Sequence, residues 1–212
     1  MLKLYGFAAT RSLRVLWALN ELDAEFEFVP VNLLTGEQHR PEFLRINPAG
    51  KVPVLVDGDV VLTESAAIVI YLAEKYPDKG LLPVDRKQLA QAYRWVMFAM
   101  TELEQPLWRI TRHTWLYPED RRIPEDIPAA SQEFIAMAAV LEDHMTGRQF
   151  IVGDTITIAD CVTAYPSARS NNFSRPARLR TQSCSEMATA LSRFARWNGY
   201  ERQNNRRPLY TF

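Results

Sequence analysis

Apolar and polar positions alternate at the start of the chain, where Leu2-Lys3-Leu4-Tyr5 reads as a short first strand. From 12 to 22 the period lengthens to that of a helix. Leu13, Leu16, Trp17, Leu19 and Leu22 form its apolar side, and Arg14 and Glu21 are assigned to the outer face. Residues 25–31 return to period two through Phe26 and Phe28. Pro41, whose missing N–H costs nothing in a first turn, opens a short helix through Arg45. Val52–Val56 and Val60–Leu62 flank Asp57-Gly58 and predict a hairpin about a tight turn. Ile68, Val69, Tyr71 and Leu72 then predict a helix over 64–75, capped by Thr63 and ended before Pro77. The order βαβαββα makes the first eighty residues α/β, with a mixed four-stranded sheet.

Residues 78–83 carry Lys, Gly and Pro between two helical patterns and read as a linker. The expected division is therefore a unit over 1–80 and an all-α unit over 87–212. Residues 87–116 are long, aromatic and helical, and Pro106 is expected to kink or split them. A further amphipathic helix covers 131–145. Thr157 is placed to cap a last helix, with Asp160 three residues on reaching back to the cap N–H. That helix is expected to stop at Pro166.

Composition changes the picture at that same point. The chain of 212 residues has a formal net charge of zero and is 47% hydrophobic, ordinary for a folded soluble protein. Residues 166–212 hold nine Arg, no Lys and two acids, whereas 1–165 hold 16 basic and 23 acidic residues. An acidic body thus carries an atypical basic tail, rich in Ser, Arg and Asn over 166–182. Two explanations stand side by side: a divergent tail, or a shift of reading frame near residue 165. The tail is not read as a nucleic-acid site. No run of about 18 apolar residues suggests a membrane span, and Lys3, Arg11 and Arg14 interrupt any leader pattern. Cys161 and Cys184 lie outside CxxC or metal-ligand spacing, and His113 and His144 are isolated, so no metal is expected. A reducing, cytoplasmic location follows from the cysteine usage.

The candidate chemistry lies in residues 47–53, Asn-Pro-Ala-Gly-Lys-Val-Pro, and in the Thr63-Glu64-Ser65 helix start. Pro53 at the start of a strand reads as a cis proline or as a plain edge-strand start. Beside it, an extended Val52 backbone would pair with an extended peptide. Glu64 and Ser65 sit where free N–H groups and the helix dipole favour a carboxylate. These residues resemble the glutathione transferase superfamily, closely over 1–82 and more loosely over 87–165. The resemblance implies a thioredoxin-like N-terminal domain followed by an all-α C-terminal domain. It further implies that Val52 next to Pro53 pairs with the cysteinyl part of glutathione, that Glu64 and Ser65 hold the γ-glutamyl end, and that Gln38 and Lys51 reach the glycyl carboxylate. His39 is a neighbour of that site.

The thiol-activating position departs from the family pattern. A hydroxyl or thiol is expected after the first strand, where it stabilises the nucleophilic thiolate. An ungapped match puts Ala9 there, with Thr10 next; a match to cysteine-type members puts Arg11 there, with Ser12 beside it. Thr10 and Ser12 are rival catalytic candidates, and either is also placed to be only a helix cap. The family resemblance assigns Trp108, Arg109, Arg112 and His113 to the wall of an acceptor pocket. It implies glutathione as co-substrate, a small electrophilic, disulfide or peroxide acceptor, and a homodimer. A non-catalytic glutathione-binding scaffold is the alternative, favoured by Ala9.

Overall fold

A computed structural model describes residues 1–7 and 10–170, excluding the side chains of 165–170. Ala9, Cys184 and most of the basic tail, with both explanations offered for it, lie outside the described residues. The four strands are β1 (Leu2–Gly6), β2 (Phe26–Pro30), β3 (Val54–Asp57) and β4 (Val60–Thr63), in the spatial order β2-β1-β3-β4. β1 runs parallel to β2 and antiparallel to β3, which pairs antiparallel with β4. Helices α1 (Ser12–Glu21), α2 (Pro41–Leu44) and α3 (Ser65–Lys75) complete the α/β part. This is a thioredoxin-like arrangement, with the element order the hydrophobic pattern predicts.

Alternation across the sheet sorts its two faces. Leu2, Leu4 and Leu55 pack with Val15, Ala18 and Leu19 of α1 and Ile68, Val69 and Leu72 of α3. Tyr5, Val31, Phe43, Ile46 and Val54 form a smaller cluster that includes α2. The helical part follows: α4 (Arg86–Phe98), α5 (Glu104–Thr111), α6 (Asp126–Met145) and α7 (Ile158–Ser170). A π-helical turn over Ala99–Leu103 separates α4 from α5, and a second one follows α5 over Arg112–Leu116. The first is the split expected near Pro106, whose missing N–H leaves the Glu102 carbonyl without its ordinary helical donor.

Five local expectations are corrected. The hairpin loop is Gly58-Asp59 rather than Asp57-Gly58, because Asp57 pairs with Val60 and Gly58 carries the positive φ of 63°. Thr63 does not cap α3: it ends β4, and Glu64 occupies the cap position at φ 66° with no side-chain bond to the helix. α6 begins at Asp126, before the expected residue 131, with Pro128 accommodated in its first turn. Arg14 does not face out. Its side chain is fully buried, on the stripe that also carries Ala18. Finally, α7 does not stop at Pro166 but continues to Ser170. Proline leaves the carbonyl four residues earlier without a helical donor. That carbonyl, Val162 O, accepts the Arg14 Nε–H at 2.8 Å.

The start of α7 matches its expectation. Thr157 N and Thr157 Oγ1 donate to Asp160 Oδ2 at 2.8 and 2.9 Å, and Ile151 N donates to Asp160 Oδ1 at 2.8 Å. Burial raises the Asp160 carboxyl above its usual range, against the lowering effect of these donors. Ile158, Ala159, Cys161, Val162 and Ala164 join the same core as α1, α3 and α4, so α7 connects the two parts of the molecule. Burial likewise pushes the Cys161 thiol up, consistent with a small core side chain.

Two measurements follow. Asp160→Ala leaves buried donors at Ile151 and Thr157 unpaired and is expected to lower stability by about 3 kcal/mol, read by urea unfolding. The second concerns Asp57, whose Oδ2 accepts the Lys75 ammonium and the Tyr71 hydroxyl. The Lys75 bond, then that of Tyr71, holds the Asp57 carboxyl below its usual range. Its folded pKa is thus depressed, so its contribution is present above the unfolded value of about 3.9 and fades as pH falls through the folded value. Asp57→Asn is expected to lower stability at pH 7 and to narrow its gap to the parent as the solution is acidified.

Candidate active site

Strand register brings the candidate loops together. Val54 lies opposite Thr63 in the β3–β4 pair and opposite Tyr5 in the β1–β3 pair. The segments ending at Pro53, starting at Glu64 and starting at Phe7 therefore all leave the same end of the sheet.

The first segment leads from β1 into α1. Gly6 is needed at its start, since a Cβ there would lie 2.8 Å from Phe28 Cε2 and 3.0 Å from Ser12 Oγ. Ser12 Oγ accepts the Phe7 N–H at 3.3 Å, and Thr10 Oγ1 donates to Phe7 O at 2.6 Å. The two hydroxyl oxygens are 2.9 Å apart. Thr10 has spent its proton on Phe7, so the bond between them is donated by Ser12. Ser12 is buried and Thr10 partly exposed.

The second segment is a loop folded on Asn47. Its buried side chain donates to Lys51 O at 2.7 Å and accepts from Ala49 N at 3.0 Å. Gly50, at φ 61°, brings the loop against the turn that carries Gln38 and His39; a Cβ there would lie 3.1 Å from Gln38 O and from His39 Nδ1. Lys51 is exposed and Val52 half-buried, and the Val52–Pro53 peptide bond is cis. The amide oxygen of Gln38 is buried without a partner among the described residues.

The third segment is the start of α3. Glu64 is exposed, with a positive φ of 66°, and Ser65 is buried at the first helical position. Ser65 Oγ accepts from Arg14 Nη1 at 3.1 Å. A hydroxyl that accepts from a guanidinium retains its own proton for an incoming anion.

Arg14, on the helix that follows the first segment, joins the third segment to the helical part. Besides Ser65 and Val162 O, it bonds Met100 Sδ at 3.1 Å and Glu104 Oε2 at 2.9 Å. Glu104, also buried, offers its other oxygen to Arg11 Nε. Sequence reasoning passed over Glu104 and misplaced Arg14. The available signal was a charged residue within each apolar helical stripe: Arg14 with Ala18, and Glu104 with Leu107 and Thr111.

Of the four residues assigned to an acceptor wall, Arg109 and His113 both approach Asp126, Arg112 and His113 both meet Tyr117, and Trp108 turns elsewhere. Trp108 meets the first segment, with the Arg11 guanidinium 5.0 Å above its ring. Arg109 turns to α6, binding Asp126 and Glu133. Those carboxylates, Asp126 first, push its pKa up, and Arg109 in turn holds Asp126 below its usual range. His113 accepts the Ile123 N–H at 3.1 Å through Nδ1 and is buried. Arg112 lies over the Tyr117 ring.

The fold and the converging loops define a thioredoxin-like protein with an attached helical part and a cradle at one sheet end. The family model for the N-terminal domain of glutathione S-transferase matches residues 1–74. The chain is 41% identical over 163 residues to a zeta-class glutathione S-transferase of Euphorbia esula, covering 75% of this chain and 71% of the relative. It is 32% identical over 167 residues to glutathione S-transferase F9 of Arabidopsis thaliana, covering 76% of each. Among solved structures, poplar glutathione transferase F1 superposes with a TM-score of 0.79 at 26% identity, over 97% of this chain and 99% of that one. The chain belongs to the glutathione S-transferase family.

The Arg14–Glu104 pair supplies the test of this construction. Glu104→Ala leaves a buried guanidinium short of its counterion and is expected to cost about 3–5 kcal/mol in urea unfolding. Replacing both partners by Met is expected to recover much of that loss.

Proposed function

We propose that this glutathione transferase binds glutathione across the three converging segments and directs its thiolate at a small electrophilic, disulfide or peroxide acceptor. Residues 1–80 act as the glutathione-binding unit, and the helical unit from residue 87 faces the acceptor. Val52, beside Pro53, offers its N–H and C=O to the cysteinyl backbone. Ser65 and the free N–H groups of α3 take the γ-glutamyl carboxylate, and exposed Glu64 takes the adjacent ammonium. Gln38 and Lys51, brought side by side by Gly50, take the glycyl carboxylate, with His39 at their edge. The loop with Thr10 and Ser12 faces the thiol, and Trp108 lines the acceptor side. The enzyme works as a cytoplasmic homodimer. No metal takes part: glutathione itself supplies the nucleophile.

The observation that carries this reading is the shared register of Tyr5, Val54 and Thr63, from which the three candidate segments leave one end of the sheet. Carboxylate and ammonium are held at the helix start, the peptide pairs with Val52, and the thiol lies toward Thr10 and Ser12. Orientation converts encounter with the acceptor into a reaction within one complex.

Calorimetric titration with glutathione near neutral pH tests it. Saturable binding is expected, weakened about 10- to 100-fold by Ser65→Ala, the loss of one hydrogen bond to a charged group. A cooperatively folded protein that takes up no glutathione would refute the proposal.

A further inference from the structure

The hydroxyl protons in the loop after β1 are already committed. Thr10 gives its proton to Phe7 O at 2.6 Å, and Ser12 gives its own to Thr10 Oγ1 across 2.9 Å. The Ser12 oxygen meanwhile holds the Phe7 N–H. For either hydroxyl to serve a thiolate, a short bond within the loop must first break. A third side chain in the same loop is under no such constraint. Arg11 takes the cap position of α1, and its guanidinium spans the gap to α5. Glu104 engages it through Nε alone, because that carboxylate is divided, one oxygen each, between Arg11 and Arg14. The guanidinium has five N–H bonds, so this contact leaves the terminal nitrogens with their donors. The Arg11 guanidinium lies over the Trp108 ring at 5.0 Å, and its side chain is 28% exposed.

We infer that Arg11, held on Trp108 by Glu104, is the catalytic cation that stabilises the thiolate of bound glutathione. This rests on the glutathione-binding reading above and deepens it. In the step, the thiol S–H bond breaks and its proton leaves to bulk water. The sulfur keeps the electron pair and accepts hydrogen bonds from the Arg11 terminal nitrogens, which keep all their protons. No covalent bond to the protein forms. Glu104 is a positioning residue: it fixes Arg11 through Nε without covering the terminal donors.

The test is a titration of the ultraviolet thiolate absorbance of glutathione bound to the full chain, at saturating ligand, as a function of pH. A cation within contact distance lowers a thiol pKa by about 1–3 units. Arg11→Met and Arg11→Gln are therefore both expected to raise the bound-thiol pKa by about that amount, with little change in glutathione affinity below the parent's bound-thiol pKa and weaker binding above it, and Arg11→Lys to restore part of the shift. Arg11 lies at the edge of the core, and two neutral variants with calorimetric binding as a companion readout separate a local effect from misfolding. Thr10→Val and Ser12→Ala are expected to move the titration less. An unchanged titration in the neutral Arg11 variants, or a larger shift in Thr10→Val, overturns the inference while leaving glutathione binding standing. Absence of binding by the parent protein removes both readings together.

Discussion

One buried guanidinium holds this molecule together. Arg14 reaches α3 through Ser65, α5 through Glu104 and α7 through the Val162 carbonyl. A fully buried cation is expensive unless it is paired and hydrogen-bonded, as Arg14 is to Glu104, Ser65 and Val162. The energetic consequence is that none of these four helices can shift independently. The sheet end where the three segments gather is thereby fixed from behind by the helical part, so the cradle and the far side of the molecule form one packing unit. A second consequence is electrostatic. The α3 start, already the positive end of a helix dipole, has a guanidinium directly beneath its serine hydroxyl, which suits it to anionic partners.

Much of the fold was legible in the sequence, because period two and period 3.6 were each kept where an element has one buried face. The β1, β2, β3 and β4 strands and α1 and α3 fall within a few residues of their expected bounds. The cradle was legible for a related reason. Its parts, Val52–Pro53 and Glu64–Ser65, are separated by a single hairpin, so short-range order largely determines their geometry. The turn at Gly58 was off by one residue, because a flexible glycine serves either position of a tight turn and only the strand register decides.

What was not legible depends on helices meeting at long range. Arg14 and Glu104 are 90 residues apart, and nothing near either one says that the other covers it. Each looks like an ordinary surface charge until its neighbours on the helical stripe are counted. The residues assigned to the acceptor wall part company for a different reason: helical phase. Trp108 and Arg109 are adjacent in sequence, but the step of one residue turns a side chain by about 100°. Trp108 consequently meets Arg11, while Arg109 meets Asp126 and Glu133 of α6. Two π turns in this ridge displace the phase again, and local spacing gives no warning of them.

Pro166 acts as more than a tolerated irregularity. An unbroken helix has a regular backbone, with every interior carbonyl engaged by its own chain, and one turn resembles the next to anything docking on it. Removing one donor creates a single address along that surface, the Val162 carbonyl, and Arg14 reads it. α7 therefore cannot slide by a turn along α1 and still satisfy the buried cation. A defect in one helix specifies the axial alignment of two.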